Sequence, residues 1–272
     1  VICFEHIEVA RNGRTILRNV SFEARAGEVT AVLGVNGAGK STLVRLLSGE
    51  WRASGGTLHW LGERLDAMSP ETMARKRAVV NQHSDFRFDF TVEEVAGMGR
   101  YPHRESTAKM NRRLVREALL ETGLGGLADR SALRLSGGER RRLLLARALV
   151  QLHEAREAGE GLLVLDEPAA HLDLGHQEHL LGCMRACTRR GLTVFTVLHD
   201  LNHAARVADR VVLLEQGEVA AVGNPSEVFQ SDLLTRVFGV RVEAISRPGH
   251  PPHWVPVATR ATESERENSI PA

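Results

Sequence analysis

With 272 residues, 43% hydrophobic and 25% charged content, the chain is long enough to bury a substantial core and lies far from disordered or collagen-like compositions. Its 35 basic and 34 acidic residues leave a formal net charge of +1, which excludes a broad electrostatic field for nucleic acid or anionic lipid. Any such contact has to be local. The cysteines Cys3, Cys183 and Cys187 have no metal-ligand spacing and suit a reducing compartment; Cys183 and Cys187, one helical turn apart, read as packing residues. No stretch approaches the roughly 20 apolar residues that span a bilayer, and the opening Val1 to His6 has no basic-then-apolar pattern. The expectation is a cytoplasmic chain that reaches a membrane only by docking on a partner.

Cys3 to Val9 and Thr15 to Phe22 alternate loosely and predict strands of a small antiparallel sheet. Glu28 to Leu33 is an apolar, β-rich run that ends in a glycine-rich turn, and Ser41 to Leu47 follows with a helical pattern. Strand, glycine loop and helix form the opening unit of an α/β nucleotide fold. Thr91-Val92-Glu93-Glu94 has capping-box spacing, and Lys109 to Thr122 carries leucines and alanines at helical intervals before Gly123. Strand-like runs return at Leu162 to Leu165, Leu192 to Leu198 and Arg210 to Leu214, with an amphipathic helix over Leu174 to Arg190. That alternation predicts a mainly parallel sheet interrupted by a helical insertion. Gln216-Gly217 suits a hairpin, Asn224-Pro225-Ser226-Glu227 opens another helix, and a polar tail begins near Thr259.

Three motifs carry chemistry. In Gly34-Val35-Asn36-Gly37-Ala38-Gly39-Lys40-Ser41-Thr42 the glycines let backbone N–H groups converge on phosphate oxygens, and the following helix presents its positive end. Lys40 is placed for the β- and γ-phosphates of ATP and the Ser41 hydroxyl for Mg²⁺. Alone, this loop leaves kinases, GTPases and helicases open. Leu162 to Glu167 delivers two carboxylates at the C-terminal end of an apolar strand, where ligands of such sheets bind. Asp166 suits Mg²⁺ through water, and Glu167 suits the attacking water; two acids capping a turn before Pro168 is the plainer alternative. Leu135-Ser136-Gly137-Gly138-Glu139, running into a helix over Arg140 to Leu149, makes a second anion-binding helix N-terminus. By itself it is also an ordinary helix start.

In this order the three motifs resemble the ATP-binding cassette family, and the resemblance covers nearly the whole chain to about Val240. It implies a P-loop NTPase fold of class α/β: a mainly parallel core sheet, an N-terminal antiparallel β subdomain and a helical insertion. The expected organisation is one cassette over 1–245, with a nucleotide-binding core of 1–83 and 150–245, a helical subdomain of 84–149, and an extension and tail over 246–272. The resemblance assigns Gln82 to the lid loop that senses Mg²⁺ and the attacking water, Asp173 to the dimer contact, and His199 to the γ-phosphate switch. It further implies a head-to-tail homodimer, in which Ser136 and Gly138 of one copy close over the ATP held by Lys40 of the other. At the usual adenine-stacking aromatic position the chain has Arg11, whose guanidinium plane also stacks on a base. His171 stands where a small residue is more usual.

Phe86, Phe88 and Phe90 alternate just after the lid glutamine, ahead of Gly97-Met98-Gly99-Arg100. They read partly as core of the helical insertion and partly as anchors for a helix of a membrane subunit. This segment and Leu198-His199-Asp200-Leu201-Asn202 resemble importer cassettes for iron chelates and cobalamin. The resemblance implies heme as cargo, with a ferric siderophore or cobalamin as alternatives. It also implies polytopic permease partners, an indirect link to a periplasmic substrate-binding protein, and a peripheral position on the cytoplasmic face of the inner membrane. A soluble cassette acting on ribosomes or DNA is the competing class; tandem cassettes or a long coiled coil would mark it, and neither is present. No histidine reads as a heme ligand: His176 and His179 share a helix face and are expected to be solvated, and His250 and His253 lie in a proline-rich stretch.

Overall fold

The computed structural model describes residues 1–81, 88–170, 172–248 and 252–257. In chain order the strands are β1 (Ile2–Arg11), β2 (Arg14–Ala24), β3 (Val29–Gly34), β4 (Gly55–Trp60), β5 (Glu63–Arg64), β6 (Arg77–Val80), β7 (Leu162–Asp166), β8 (Thr193–Val197), β9 (Arg210–Glu215), β10 (Glu218–Gly223), β11 (Val242–Ile245) and β12 (His253–Pro256). The helices are α1 (Lys40–Leu47), α2 (Pro70–Lys76), α3 (Val92–Gly97), α4 (Ala108–Glu121), α5 (Gly137–Gln151), α6 (His153–Glu157), α7 (Leu174–Arg189), α8 (Leu201–Val207), α9 (Pro225–Val228) and α10 (Ser231–Phe238). None of them is long and apolar enough to cross a membrane, among the described residues.

The central sheet has the order β10-β9-β3-β8-β7-β6, parallel throughout except for β10, which turns back from β9 through Gln216 and Gly217. Both turn residues have positive φ, 50° and 86°, as a two-residue hairpin with right-handed strand twist requires. Successive side chains of a strand point to opposite faces, which explains the unbroken apolar run of β7. Leu163 and Leu165 join one core with α5 and α7, whereas Leu162 and Val164 join a second with α1 and the antiparallel sheet β2-β1-β4-β5. In that second core Phe4 stacks on Phe22 at 4.2 Å between ring centroids. The sheet is therefore covered on both faces, and its strand ends are fixed by burial on either side.

Helices α3, α4 and α5 pack together on the first core. Thr91 caps α3 through the expected box, its hydroxyl accepting from the Glu94 N–H at 3.2 Å while the Glu94 carboxylate accepts from the Thr91 N–H at 2.7 Å. Gly99 lies so close to α5 that a Cβ would collide with the Arg147 carbonyl oxygen. The neighbouring Arg100 is buried, donating to the Val150 carbonyl and the Asn111 side chain at 3.0 Å each and pairing with Glu154. The Gly97 to Arg100 motif thus ties the turn after α3 to α5. Phe88 and Phe90 contact each other edge-on at 6.2 Å yet are 70% and 38% exposed, so neither is core; Phe86 lies outside the described residues. Cys183 and Cys187 are buried on α7, and burial pushes their thiols up to about 11 and about 12, which keeps them inert packing residues.

Past α10 the chain turns back. β12 pairs with β11, and Trp254 enters the core edge-on to Phe229 at 5.9 Å. Its backbone is held by Asn202, whose side-chain oxygen accepts from the Trp254 N–H at 2.7 Å and whose amide donates to the Trp254 carbonyl at 3.0 Å. This part of the 246–272 segment packs on the body of the protein, which its proline-rich sequence does not announce.

Candidate functional site

Three neighbouring strands bring the motif residues to one edge. In the order β3-β8-β7, Val32 pairs with Val197 and Val197 with Asp166, so the C-terminal ends of these strands lie in one row. The loop Gly34 to Gly39 leaves β3, His199 follows β8, and Asp166 and Glu167 close β7. Ligands of doubly wound sheets bind at this edge because strand ends and helix N-termini converge there.

Within the loop two glycines are required by contact as well as conformation. Gly34 has φ 147° and its Cβ would strike the Leu214 carbonyl oxygen; Gly39 has φ 103° and its Cβ would strike the Leu17 side chain. Gly39 is also the N-cap of α1, whose first turn exposes Ser41 and buries Lys40. The Lys40 ammonium donates to the carbonyls of Gly34 and Val35 at 2.8 Å and 2.9 Å, inside the loop that it closes. Burial lowers its pKa, and the negative charges of Glu167 and Asp166 act against that.

The carboxylates differ in environment. Asp166 Oδ1 is buried without a hydrogen-bond partner, and burial followed by the charge of Glu167 raises the Asp166 pKa. Glu167 has φ 49°, a left-handed conformation that a non-glycine residue adopts only when its surroundings impose it. Its N–H donates to the Val197 carbonyl at 3.2 Å, and its carboxylate pairs with His199 Nε2. Arg141, on α5, donates to the Asn81 carbonyl at 3.0 Å and lies in the field of Glu167 and Asp166. The run Arg140-Arg141-Arg142 gave no sign of which arginine faces the site. Gln82, which the resemblance assigns to the lid loop, lies outside the described residues, as does His171.

The turn Leu135 to Glu139 sits on the helical layer. Leu135 is buried, and Ser136 caps α5, its hydroxyl accepting from the Glu139 N–H at 3.2 Å while Glu139 accepts from the Ser136 N–H at 2.7 Å. Ser136 and Gly137 are exposed and Gly138 is buried. Among the described residues, no hydrogen bond or ion pair links this turn to the loop Gly34 to Thr42 of the same chain. Asp173 caps α7, with its carboxylate accepting from the His176 N–H at 2.9 Å.

Arg11 lies at the tip of the first hairpin, its guanidinium carbon 4.4 Å from the ring centroid of Trp51; Arg45 of α1 stacks on the same ring at 4.6 Å. Arg11, Asn12, Arg14, Ile16 and Trp51 line a cavity of about 490 Å³, and the Ile16 carbonyl abuts Gly39. A larger cavity of about 580 Å³, lined by Leu46, Trp51, Leu58, Met73 and Arg77 among others, contains no residue of the phosphate loop or the carboxylate pair.

The family model for ABC transporters matches residues 17–170, which span the loop, the turn before α5 and the carboxylate pair. The chain belongs to the ABC transporter family. It is an ATP-binding ABC ATPase, with the α/β fold expected of one. Along its length it is similar to the hemin import ATP-binding protein HmuV of Rhodopseudomonas palustris (strain BisB18), with 42% identity over 97% of this chain and 97% of the relative. It is also similar to HmuV of Enterobacter cloacae, with 45% identity over 88% of this chain and 90% of the relative. Among solved structures it resembles a putative metal-chelate type ABC transporter in an inward-facing conformation, with a TM-score of 0.80 and 26% identity over 94% of this chain and 97% of that one.

Proposed function

We propose that this ABC ATPase drives heme import, binding and hydrolysing ATP at sites shared by two copies that dock on a membrane permease. The observation that carries the reading is the row of strand ends that gathers Lys40, Asp166, Glu167 and His199, in a chain alike over 97% of its length to a hemin import ATP-binding protein. Gly34 to Thr42 cradles the phosphates, with backbone N–H groups and the α1 N-terminus facing them. The guanidinium of Arg11, backed by Trp51, takes the place of the missing aromatic against the adenine. Glu167 accepts a proton from the attacking water, and His199, paired with Glu167, holds that carboxylate and reaches the γ-phosphate. Gln82 belongs to the same water and Mg²⁺ network by resemblance.

The donor set fits Mg²⁺. Asp166 offers a buried oxygen without a protein partner, and Ser41 offers an exposed hydroxyl on the first turn of α1. Held there by Asp166 and Ser41 with the nucleotide bound, Mg²⁺ would neutralise phosphate charge. Leu135 to Glu139 and Asp173 are the surfaces given to the second copy, consistent with a turn that stands apart from the phosphate loop of its own chain. Exposed Phe88 and Phe90 suit a cytoplasmic helix of a polytopic permease, and in this reading the protein sits peripherally on the inner face of the cell membrane. A periplasmic substrate-binding protein is the indirect partner. A ferric siderophore or cobalamin is the competing cargo, favoured by the likeness to the metal-chelate transporter.

The pairing of copies is tested by light scattering of Glu167→Gln with and without saturating Mg-ATP, alongside co-purification of the tagged chain with a polytopic permease. A nucleotide-dependent dimer and a salt-resistant permease complex are expected. A variant that stays monomeric with ATP, or co-purification with ribosomes instead, contradicts the reading.

A further inference from the structure

His176 lies outside the phosphate loop, the carboxylate pair and the turn Leu135 to Glu139, the signature turn of the cassette. On sequence it is a solvated histidine of α7, yet its side chain is only 28% exposed, whereas that of Asp173 is 71% exposed. Its Nδ1 lies 2.7 Å and 2.8 Å from the two carboxylate oxygens of Asp173, so the ring N–H donates to the carboxylate that the His176 backbone N–H already binds. The far side of the ring covers Gly138. A Cβ at that position would collide with Cγ and Cδ2 of His176 and lie 2.8 Å from Nε2. Gly138 belongs to the first turn of α5, which the Ser136 and Glu139 capping box holds rigid.

A helix cap alone does not need this ring. Asp173 satisfies the α7 N-terminus through the backbone N–H of His176, as caps ordinarily do. The imidazole adds a second bond that fixes the carboxylate rotamer and a flat surface that fixes the distance from Asp173 to the signature turn. Asp173 in turn follows Glu167 by a short loop, closed by the Ala170 N–H donating to the Glu167 carbonyl at 3.2 Å.

We propose that His176 is a positioning residue of the shared ATP site, a latch that holds Asp173 and the signature turn of one chain as a single rigid surface for the second copy. The inference rests on the two-copy reading above. It also gives Gly138 a role within its own chain, since no other residue leaves room for the ring. A latched pair meets the partner copy in one step, whereas an unlatched pair has to be ordered on contact and loses affinity by that ordering. Loss of one hydrogen bond to a charged group and its packing corresponds to about tenfold in the dimerisation constant.

The test uses the full chain in a Glu167→Gln background, with ATP-driven dimerisation followed by analytical ultracentrifugation and ATP affinity of the dilute monomer by calorimetry. His176→Ala is expected to weaken dimerisation by about tenfold with monomer ATP affinity within about twofold of the parent. His176→Asn, which keeps a side-chain N–H toward Asp173, is expected to recover part of that loss. Gly138→Ala is expected to weaken dimerisation through collision with the ring, so Gly138→Ala with His176→Ala is expected to dimerise better than Gly138→Ala alone. A parent that stays monomeric with ATP removes the two-copy reading and the latch with it. A parent that dimerises while His176→Ala matches it, or a double variant no better than Gly138→Ala, overturns the latch and leaves the two-copy reading standing.

Discussion

Replacing Glu167 by Gln is expected to slow ATP hydrolysis by about 10²–10⁴-fold while leaving ATP binding intact. Glutamine has nearly the same shape, so it fits the backbone at φ 49° and keeps an oxygen toward His199. What it cannot do is take a proton from water. The location makes the loss large: Glu167 closes β7 beside the Val197 carbonyl, in the same row as the phosphate loop and His199, and among the described residues the other carboxylate in that row is Asp166. Asp166 is not available for that role, because the proposed site gives its buried, unpartnered oxygen to Mg²⁺. Single-turnover hydrolysis with radiolabelled ATP measures the effect directly. Turnover at the wild-type rate in Glu167→Gln would remove this residue from the reaction.

Lys40→Ala is expected to act at the earlier step, weakening Mg-ATP binding by about 100-fold, the equivalent of about 3 kcal/mol in charge-assisted hydrogen bonds to the phosphates. The ammonium already sits within the loop, donating to the Gly34 and Val35 carbonyls, and exchanging those acceptors for phosphate oxygens requires only a short movement. Burial disfavours its charged form while Glu167 and Asp166 favour it, so removing the side chain also leaves two acidic groups facing incoming phosphate without a counter-charge. Calorimetric titration with Mg-ATP checks the affinity, with thermal unfolding to confirm that the loop still folds. Affinity within twofold of the wild type contradicts the assignment.

The parts of the site that were legible in the sequence are those specified by local pattern. Gly34 to Thr42, Leu162 to Glu167 and Leu135 to Glu139 each combine a residue code with the turn or cap that shapes it, so strand, loop and helix are readable together. Thr91 announced its capping box for the same reason, whereas Asn224-Pro225 announced a helix start whose capping box appears in the structure. β6 escaped notice because Arg77-Ala78-Val79-Val80 is short and follows a charged helix; its strand character comes from pairing with β7. β12 is built around one tryptophan between prolines, and its place is decided by Asn202 and Phe229, about fifty residues upstream in the first case. His176 looked solvated because its neighbours Gly138 and Asp173 lie on two different motifs, one of them remote in sequence. Arg11 was visible as a departure from the family, but the ring that supports it, Trp51, carries no signature of that contact. Conformation was hidden in the same way: nothing in Asp166-Glu167-Pro168 signals a left-handed glutamate.

The central claim is that ATP turnover in this chain moves heme through a permease. Its most direct test is heme accumulation in proteoliposomes that contain the permease that co-purifies with this chain, with this protein and Mg-ATP on the cytoplasmic side and the cognate binding protein on the other. Uptake that requires ATP, disappears with Glu167→Gln and is unaffected by excess ferric siderophore or cobalamin is the result predicted. Uptake of a siderophore or cobalamin in place of heme, or heme flux that is the same with wild type and Glu167→Gln, would contradict it.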